Sequence, residues 1–324
     1  MKLHRGFLFG LAITLVMPLH GSSIRRAMVI VPVADVRKIP EPPQPGVPDN
    51  NQETQLLFGE EVTILESSGT YYRIQVLDQL EYSHHNQWEG YPGWVLQTDV
   101  KEHYRPKLLS GIVTQKWLPL LDSPQGTSID QLPLGAILFL TGAERKGYSA
   151  IALSNSTIGW VRSSGFRKTT TSTEVGLKRR EAILKTAALM LGDPYVWGGR
   201  SPFDDTGKIT LSGLDCSGLV NLSYHVNGVE IPRDALEQYM KSIPLENNQL
   251  LPGDLIFLAS IADPKRITHV MLYQGGENII EAPQTGFTVH NTTFQEKLGK
   301  PLKELHNGIH LTERVVYFGR LLED

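Results

Sequence analysis

The chain contains a single cysteine, Cys216, in 324 residues, and this count excludes a fold built on internal disulfides. The remaining composition is that of an ordinary globular protein, with 40% hydrophobic and 20% charged residues. Cys216 lies where the pattern predicts the start of a helix, with Asp215 as the N-cap and Gly228 at the stop. Apolar residues recur at helical spacing between these two signals, at Leu219, Leu222 and Val226.

A thiol in the first turn of a helix lies at the positive end of the helix dipole, beside amides that the helix does not use. Both effects favour the thiolate, which is the reactive form of cysteine. The alternative is a buried and inert cysteine that packs as a small apolar residue, which is the common state of an isolated free cysteine. The residues around Cys216 decide between these two interpretations.

Two polar residues downstream of the cysteine meet the other requirements of thiol catalysis. Residues 267–273 are predicted to form a strand that carries His269 and ends at the glycine pair 275–276. Residues 278–282 are predicted to form the next strand, which carries Glu281. Cysteine catalysis needs a general base for the thiol and a third group that orients the imidazole. Taken alone, His269 would be interpreted as a hydrogen-bonded strand histidine.

The C-terminal half resembles the NlpC family of papain-like cysteine peptidases, which cut bacterial cell-wall peptides. Matching motifs follow one another in order across roughly residues 178–324, and they are PYVWGG at 194–199, LDCSGL at 214–219, IPRD at 231–234, LPGDLIF at 251–257 and HVMLY at 269–273. The resemblance implies an α+β papain-like catalytic domain. The order of predicted elements, with helices before strands, is consistent with that fold class.

The resemblance also implies catalytic roles for four residues. Cys216 matches the nucleophile and His269 the general base. Glu281 falls where the family places a third polar residue, most often histidine, and a carboxylate there can accept the imidazole N–H. Tyr195 matches a tyrosine whose hydroxyl helps to hold the oxyanion, together with the backbone N–H of Cys216.

Five further residues match substrate-contacting positions of similar proteins, and they are Asp215, Ser217 and Asp234 in the catalytic domain and Glu53 and Tyr91 in the N-terminal half. Relatives with this arrangement are γ-D-glutamyl-L-diamino acid endopeptidases that require a free N-terminal L-Ala. The alternative is that Glu53 is a solvated loop charge and Tyr91 a packing aromatic. The resemblance is equally compatible with lysine and diaminopimelate, and with wall remodelling, recycling or attack on another cell.

The chain departs from the family pattern at three places. Residues 201–213 form a longer connection before the cysteine motif than expected, and we expect this loop to rim the cleft and alter access. Ala235 stands where similar proteins often carry serine, and Met271 stands where glycine is common. The two single substitutions bear on fine specificity and not on the type of reaction.

Residues 24–170 are predicted to be rich in β-strands and to contain an internal repeat. The first unit opens with an apolar run at 28–37, which predicts one strand. Each unit closes on Gly-Trp-Val after short strands, at 93–95 and at 159–161. This repeat predicts two copies of one small all-β barrel.

The two units resemble bacterial SH3-like domains, which often precede NlpC-type catalytic domains. Trp94 and Trp160 are predicted to lie in the barrel cores. A threonine-rich stretch at 169–173 is predicted to be the linker. The predicted division of the chain is a signal peptide at 1–21, SH3-like domains at 24–104 and 105–170, and a catalytic domain at 175–324.

The first residues predict export. A basic segment at 2–5 precedes an apolar run at 7–17 and a plausible cleavage point near Gly21-Ser22, which is typical of a secretory signal. The apolar run is short for a stable membrane span, although an uncleaved anchor is the alternative. We therefore expect a location in the periplasm or cell envelope, or outside the cell.

The formal net charge is −3, and no basic run is present, so bulk charge does not indicate nucleic acid as a partner. His84 and His85 are predicted to lie in an exposed loop with no other residue nearby to complete a metal site. No metal or organic cofactor is predicted, and no feature predicts an oligomeric state. The expected partners are peptidoglycan stem peptides or muropeptides.

The leading hypothesis is an exported cysteine endopeptidase that cuts the bond between γ-D-Glu and the L-diamino acid. A second hypothesis is a catalytically inert module that binds the cell wall. A third is amidase or acyl-transfer chemistry in a related cleft, because the same triad can pass its acyl group to an amine.

Overall fold

The computed structural model describes residues 24–44, 49–104, 106–154, 157–170 and 175–322. The predicted signal peptide at 1–21 lies outside the described residues, as do residues 171–173 of the predicted linker. No helix in these ranges combines the length and the apolar character that a membrane span requires.

The N-terminal unit is a sheet of seven antiparallel strands. Its strands are β1 (Arg25–Val29), β2 (Val33–Arg37), β3 (Gln52–Leu57), β4 (Glu61–Ser68), β5 (Tyr71–Glu81), β6 (Glu89–Leu96) and β7 (Val100–Glu102). They are ordered β3-β2-β6-β5-β4-β1-β7, and a 3-10 turn at Gln97–Asp99 precedes the last strand. The prediction that this region is rich in strands is confirmed.

The second unit repeats this topology strand for strand. Its strands are β8 (Leu109–Val113), β9 (Trp117–Leu121), β10 (Ser128–Pro133), β11 (Ile137–Arg145), β12 (Tyr148–Ala152), β13 (Ile158–Arg162) and β14 (Phe166–Lys168). They are ordered β10-β9-β13-β12-β11-β8-β14, and a 3-10 turn at Ser163–Gly165 precedes β14. In the described residues the pairing of each sheet is an open path, so strand pairing alone does not close either sheet into a barrel.

The repeated Gly-Trp-Val marks equivalent positions in the two sheets. A side chain at Gly93 would collide with Val36 on the neighbouring strand β2, and one at Gly159 would collide with Leu120 on the equivalent strand β9. The valines that follow, at 95 and 161, are fully buried. The prediction that Trp94 and Trp160 form the cores is wrong, because both are only half-buried and the adjacent valines point inward.

The predicted single strand at 28–37 is two strands, β1 and β2, which pair with different partners. Residues 30–32 leave the sheet between them, and Pro32 has no N–H to donate to a ladder. The strand β3, which carries Glu53, was not predicted because its sequence is mostly polar. Three of its polar side chains are nevertheless buried, at Gln52, Thr54 and Gln55.

The C-terminal unit packs helices against one antiparallel sheet. Its helices are α1 (Gly176–Ala188), α2 (Cys216–Val226), α3 (Ala235–Lys241) and α4 (Phe294–Leu298). Its strands are β15 (Arg200–Ser201), β16 (Gly213–Leu214), β17 (Ile243–Pro244), β18 (Leu255–Ser260), β19 (Ile267–Gly275), β20 (Asn278–Glu281), β21 (His290–Thr293), β22 (Ile309–His310) and β23 (Arg314–Arg320). The main sheet is ordered β17-β23-β18-β19-β20-β21, and β22 pairs with β23.

The core of this unit lies between α1, α2 and the face of the sheet that carries β18 and β19. Helix α1 buries one face, at Ile183 and Ala187, and α2 is buried along its whole length. Because α2 packs directly against β19, the start of the helix and the histidine-bearing strand are held at a fixed separation.

A buried ion pair joins the first β unit to the catalytic unit. Arg200 Nη1 donates to Glu60 Oε1 at 2.8 Å, and Arg200 Nε donates to Asn221 Oδ1 on α2 at 2.6 Å. Arg200 and Glu60 each have side chains that are 2% exposed. Buried charges are tolerated only when they are paired and hydrogen-bonded, so this contact fixes the two units together.

The long connection at 201–213 does not rim the catalytic cleft as expected. It borders a separate cavity of about 630 Å³ that lies between it and the two β units. Asp204 holds the loop in shape by accepting from the backbone N–H groups of Thr206 and Ile209, at 3.0 and 2.9 Å. The loop is therefore a spacer against the β units and lies away from the cysteine.

We predict that Glu60→Gln lowers the free energy of unfolding by about 3–5 kcal/mol, because it leaves the buried Arg200 guanidinium without its counter-charge. The matched control is Glu66→Gln, which breaks the exposed pair with Arg73 and should cost less than about 1 kcal/mol. Urea denaturation followed by tryptophan fluorescence measures both changes. Equal effects of the two substitutions would contradict the assigned role of the Arg200 pair.

Candidate functional site

The start of α2 places Cys216 as sequence reasoning predicted. Asp215 is the N-cap, and its side chain accepts from the backbone N–H of Gly218 at 2.6 Å. The same carboxylate accepts from the backbone N–H of Gly198 at 3.0 Å. Asp215 therefore caps the helix and also holds the glycine turn of the PYVWGG segment beside the cysteine.

A fully buried guanidinium, Arg233, organises the residues around Cys216. It donates to both carboxylate oxygens of Asp215 at 2.9 and 3.0 Å, and to Ser217 Oγ at 3.0 Å. Its Nε donates to Thr54 Oγ1 on β3 at 2.7 Å. A planar, bidentate contact of this kind restrains direction as well as distance. Arg233 belongs to the IPRD motif, but its sequence context predicted no role for it.

His269 and Glu281 meet across the hairpin formed by β19 and β20. The register pairs Leu272 with Ile280, which puts His269 and Glu281 on the same face of the sheet. His269 Nε2 and Glu281 Oε2 are 2.5 Å apart, and Lys297 Nζ of α4 lies 2.6 Å from the same Glu281 oxygen. Nε2 is thus engaged by the carboxylate, which leaves Nδ1 as the ring nitrogen available to another group.

Lys297 was not predicted, because it lies on a short helix far along the chain from both partners. It supplies a positive charge to a glutamate whose side chain is only 1% exposed. Burial opposes ionisation of Glu281, but the contacts with His269 and Lys297 hold the pKa of Glu281 below its usual value. The carboxylate is therefore charged at neutral pH and can orient the imidazole.

Burial controls the protonation of the thiol and of the imidazole. Desolvation, reinforced by the charge of Asp215, raises the pKa of Cys216 to about 12, although backbone N–H groups of Val270 and Ser217 act in the opposite direction. Desolvation also lowers the pKa of His269, against the effect of Glu281. The expected lowering of the thiol pKa by the helix start is therefore outweighed by burial, and both groups are neutral at rest.

Cys216 opens into a cleft of about 430 Å³ between the catalytic unit and the first β unit. Tyr195 and Trp197 line the cleft on the side of the PYVWGG segment. Tyr195 is held by a bridge to Leu214, and desolvation, reinforced by the charge of Asp215, raises its pKa well above the usual value. The phenol is therefore neutral and able to donate a hydrogen bond beside the thiol.

The predicted substrate-contacting residues Glu53, Tyr91 and Asp234 meet at the end of this cleft. Tyr91 Oη donates toward Asp234 Oδ2 at 3.0 Å and toward Glu53 Oε2 at 3.3 Å. Tyr91 is 2% exposed, so it is also a packing aromatic of the first β unit. Desolvation raises the pKa of Asp234 to about 7, although Arg233 nearby opposes this shift.

His84 lies in an exposed turn, as predicted, but it also lines the cleft, which the sequence did not indicate. Its Nε2 lies 3.7 Å from Glu53, and its ring contacts the edge of Tyr91 with 5.2 Å between ring centroids. The contact with Glu53 raises the pKa of His84 to about 9, although desolvation opposes its charge. His84 reaches the cleft because it lies at the tip of the β5–β6 hairpin, close to Glu53 of β3. No local sequence pattern indicates this long-range contact.

Asp215 and Ser217 also line the cleft, but their polar atoms are largely engaged. Both oxygens of Asp215 accept from Arg233, and Ser217 Oγ contacts both Asp215 and Arg233. Asp234 keeps a side chain that is 39% exposed. Of the three carboxylates expected at this end, Asp234 and Glu53 are the two that Arg233 does not hold in a bidentate contact.

Gly198 permits the close approach of β3 to the PYVWGG segment, which lies beside Cys216. Its φ is +68°, a left-handed conformation that favours glycine. A Cβ there would lie 3.0 Å from the backbone oxygen of Glu53 and 2.8 Å from the Gln52 side chain. Strand β3, which forms the wall of the cleft, therefore contacts the PYVWGG segment at a position where an added side chain would collide.

The sequence-based statement that nothing completes a metal site near His84 and His85 is wrong. Glu81, His85 and Glu89 bring potential ligand atoms within 4.8 Å of one another at the tip of the β5–β6 hairpin. This cluster lies behind the cleft wall and is separate from the cysteine and the histidine.

Comparisons with known proteins identify relatives of this chain. A sequence profile of the NlpC/P60 family matches residues 192–302. The chain is 30% identical over 254 residues to the gamma-D-glutamyl-L-lysine dipeptidyl-peptidase of Bacillus subtilis (strain 168), which covers 77% of this chain and 78% of that protein. It is 28% identical over 240 residues to the protein of the same name from Bacillus cereus, covering 72% of this chain and 68% of that protein.

A solved structure has the same fold. The crystal structure of an NlpC/P60 family protein from Bacillus cereus ATCC 10987 aligns with a TM-score of 0.74 and 23% sequence identity. The alignment covers 92% of this chain and all of that chain (100%), so it includes the β-rich N-terminal region as well as the catalytic unit. The predicted α+β papain-like fold is confirmed at this level.

We predict that alkylation of Cys216 by iodoacetamide is slower between pH 7 and 9 than alkylation of the unfolded chain. A raised thiol pKa means that less thiolate is present, and the rate should rise only at higher pH. Mass spectrometry measures the rate without ambiguity because the chain has one cysteine. The urea-unfolded protein is the control, and a reactive limb below pH 7 in the folded protein would show that a thiolate–imidazolium pair exists at rest.

Proposed function

Since this chain belongs to the NlpC/P60 family, we propose that it is a cysteine peptidase that hydrolyses the γ-D-Glu to L-diamino acid bond of peptidoglycan stem peptides. The observation that carries this proposal is one cleft with Cys216 on its floor and Glu53, Tyr91 and Asp234 at its end. The first β unit supplies two of these three end residues. The B. subtilis relative named for the γ-D-glutamyl-L-lysine bond supports the choice of bond.

In the proposed mechanism, Cys216 Sγ attacks the carbonyl carbon of the D-Glu side chain. His269 accepts the thiol proton on Nδ1, because Glu281 engages Nε2. The tetrahedral oxyanion is stabilised by the backbone N–H of Cys216 and the hydroxyl of Tyr195. His269 then protonates the leaving amine, and a water deprotonated by the same imidazole hydrolyses the thioester.

The burial of Cys216 and His269 determines when the thiolate and the imidazolium form. Both the thiol and the imidazole are neutral before substrate binds, so the thiolate forms as His269 takes the proton. The imidazolium that results is stabilised by Glu281, whose own charge is maintained by Lys297. Glu281 is thus proposed to stabilise the transition state more than the resting state, which is the condition for a gain in kcat.

The end of the cleft is proposed to bind the free N-terminal amine of L-Ala. Glu53 and Asp234 offer carboxylate oxygens, and Tyr91 bridges them. Desolvation raises the pKa of Asp234 although Arg233 Nη1 lies 3.5 Å from its carboxylate, and a substrate ammonium would be a second cation that favours the charged form. An acylated N-terminus would bring no charge, so Glu53 and Asp234 would lose the charge-assisted hydrogen bonds that an ammonium makes.

The proposal extends to the organisation and location of the protein. We assign residues 24–104 and 105–170 to two SH3-like domains, since their sheets share one strand order. The first forms the wall of the cleft and the second supports it. The signal-like segment at 1–21 would direct the protein out of the cytoplasm, to the envelope where its substrate lies.

We predict that a free L-Ala-γ-D-Glu-L-diamino acid tripeptide is cut after D-Glu at least tenfold to a hundredfold more efficiently than its N-acetylated form. A hydrogen bond to a charged group contributes about 1.5–3 kcal/mol, and its loss with the ammonium is the source of this ratio. The ratio should be larger at pH 7.5 than at pH 5.5, because Asp234 ionises only as pH rises through about 7. Mass spectrometry of the products and their kcat/KM values measure both effects.

Glu53→Gln should reduce this discrimination at least tenfold, and Glu66→Gln, an exposed glutamate on the same sheet, should leave it unchanged. Equal kcat/KM values for the free and the N-acetylated tripeptide would mean that the first β unit only anchors the protein and does not select the substrate. Binding without cleavage would favour the inert module. Products with the acyl group transferred to an added amine would favour acyl transfer.

We predict that Cys216→Ala and His269→Ala each lower kcat/KM by roughly a thousandfold or more, because one removes the nucleophile and the other the base. Glu281→Gln should be milder, since the amide oxygen still accepts the imidazole N–H while the charge is lost. Circular dichroism verifies that each variant is folded. A greater loss for Glu281→Gln than for His269→Ala would reverse the assigned roles.

A further inference from the structure

The β5–β6 hairpin carries a cluster of metal-ligand side chains that the proposed reaction does not use. Glu81 ends β5 and Glu89 begins β6, and the register pairs these two residues directly. His85 lies between them in the turn. One oxygen of each carboxylate and one ring nitrogen of His85 all lie within 4.8 Å of one another.

A second observation concerns Glu81 alone. Its side chain is 1% exposed, and its Oε2 accepts from the backbone N–H of His84 at 3.0 Å and lies 2.8 Å from the His84 ring. Its Oε1 is buried and has no hydrogen-bond partner within the described part of the chain. A buried carboxylate oxygen without a hydrogen-bond partner is costly, and the residue that pairs with Glu81 across the hairpin is a second glutamate, Glu89. Glu89 already contacts Gln75 and His85, whereas a cation beside Glu81 Oε1 would give that oxygen a partner.

We propose that Glu81, His85 and Glu89 form a binding site for a divalent transition-metal ion of the Zn²⁺ type. One imidazole nitrogen and two carboxylate oxygens are ligands that zinc accepts, and water can fill a fourth position. The imidazole argues against Mg²⁺ and Ca²⁺, which prefer oxygen ligands. The half-exposed side chain of His85, at 48%, leaves a path by which an ion enters.

The site is placed to stabilise the wall of the cleft. The same hairpin tip carries Ser83 and His84, which line the cleft beside Glu53. Ser83 donates from its backbone N–H to Glu237 of α3 at 3.1 Å, so the tip also contacts the catalytic unit. A metal that bridges β5, the turn and β6 would hold this tip in one conformation, because ligands from three positions restrain the turn together.

Titration of the full-length protein with Zn²⁺ against a chromophoric chelator at pH 7 tests the proposal. We expect one equivalent to bind, and to bind equally in Cys216→Ala, which removes the thiol as a competing ligand. His85→Ala and Glu81→Gln should each weaken binding at least tenfold. The matched control is His103→Ala, an exposed histidine beside a glutamate on the same sheet, and it should bind like the parent protein.

Thermal unfolding gives a second readout that needs no substrate. Zn²⁺ should raise the melting temperature of the parent protein and of His103→Ala, and not that of His85→Ala. Because His85 is exposed in a turn, this variant is expected to fold, and circular dichroism checks it. The proposal would be overturned if Cys216→Ala showed no saturable binding of Zn²⁺. It would also be overturned if His85→Ala and Glu81→Gln bound Zn²⁺ as tightly as the parent protein does. Neither readout depends on peptide cleavage, so the site and the proposed reaction can fail separately.

Discussion

The buried guanidinium of Arg233 is the interaction on which the geometry of the cleft depends. It holds the N-cap of the cysteine helix through Asp215, and it reaches β3 of the first β unit through Thr54. A charge in this position is stable only with well-aligned partners, and here Asp215 provides a bidentate one. Arg233 therefore fixes the position of the cysteine helix relative to the wall of the cleft. A lysine at this position would have neither the planar fork nor the reach to both partners.

Burial explains the chemistry of the site better than the helix start does. The dipole of α2 and two backbone amides favour a thiolate, but desolvation of Cys216 is the larger effect. The same burial disfavours the imidazolium at His269. In the proposed mechanism charge separates only when the thiol proton moves, and the buried Glu281 with its partner Lys297 is already in place to stabilise the imidazolium. Such a fixed dipolar environment needs no reorganisation when the proton moves.

Features with a local signature were predictable from the sequence. The helix from Cys216 to Val226, its cap at Asp215 and the two strands that carry His269 and Glu281 all follow from spacing, capping and turn residues. The convergence of Glu53, Tyr91 and Asp234 was predicted through resemblance alone, because these residues are far apart in the chain.

Features set by long-range contacts were not predictable. The roles of Arg233, Lys297 and His84 arise from partners on other elements. The periodicity of apolar residues in the sequence does not indicate such contacts. The polar strand β3 has the composition of a loop, and its buried Gln55 and Thr54 find their partners in the catalytic unit and on another strand. The pairing of Glu81 with Glu89 depends on hairpin register, which a single sequence specifies weakly.

The left-handed glycine at position 198 has a consequence for how this architecture diversifies. Since any side chain there would press on the backbone of Glu53, a single replacement would push the cleft wall outward while leaving every polar residue of the cleft in the chain. The width of the cleft beside Cys216 would thus change through one backbone position, with the polar side chains of the cleft unaltered.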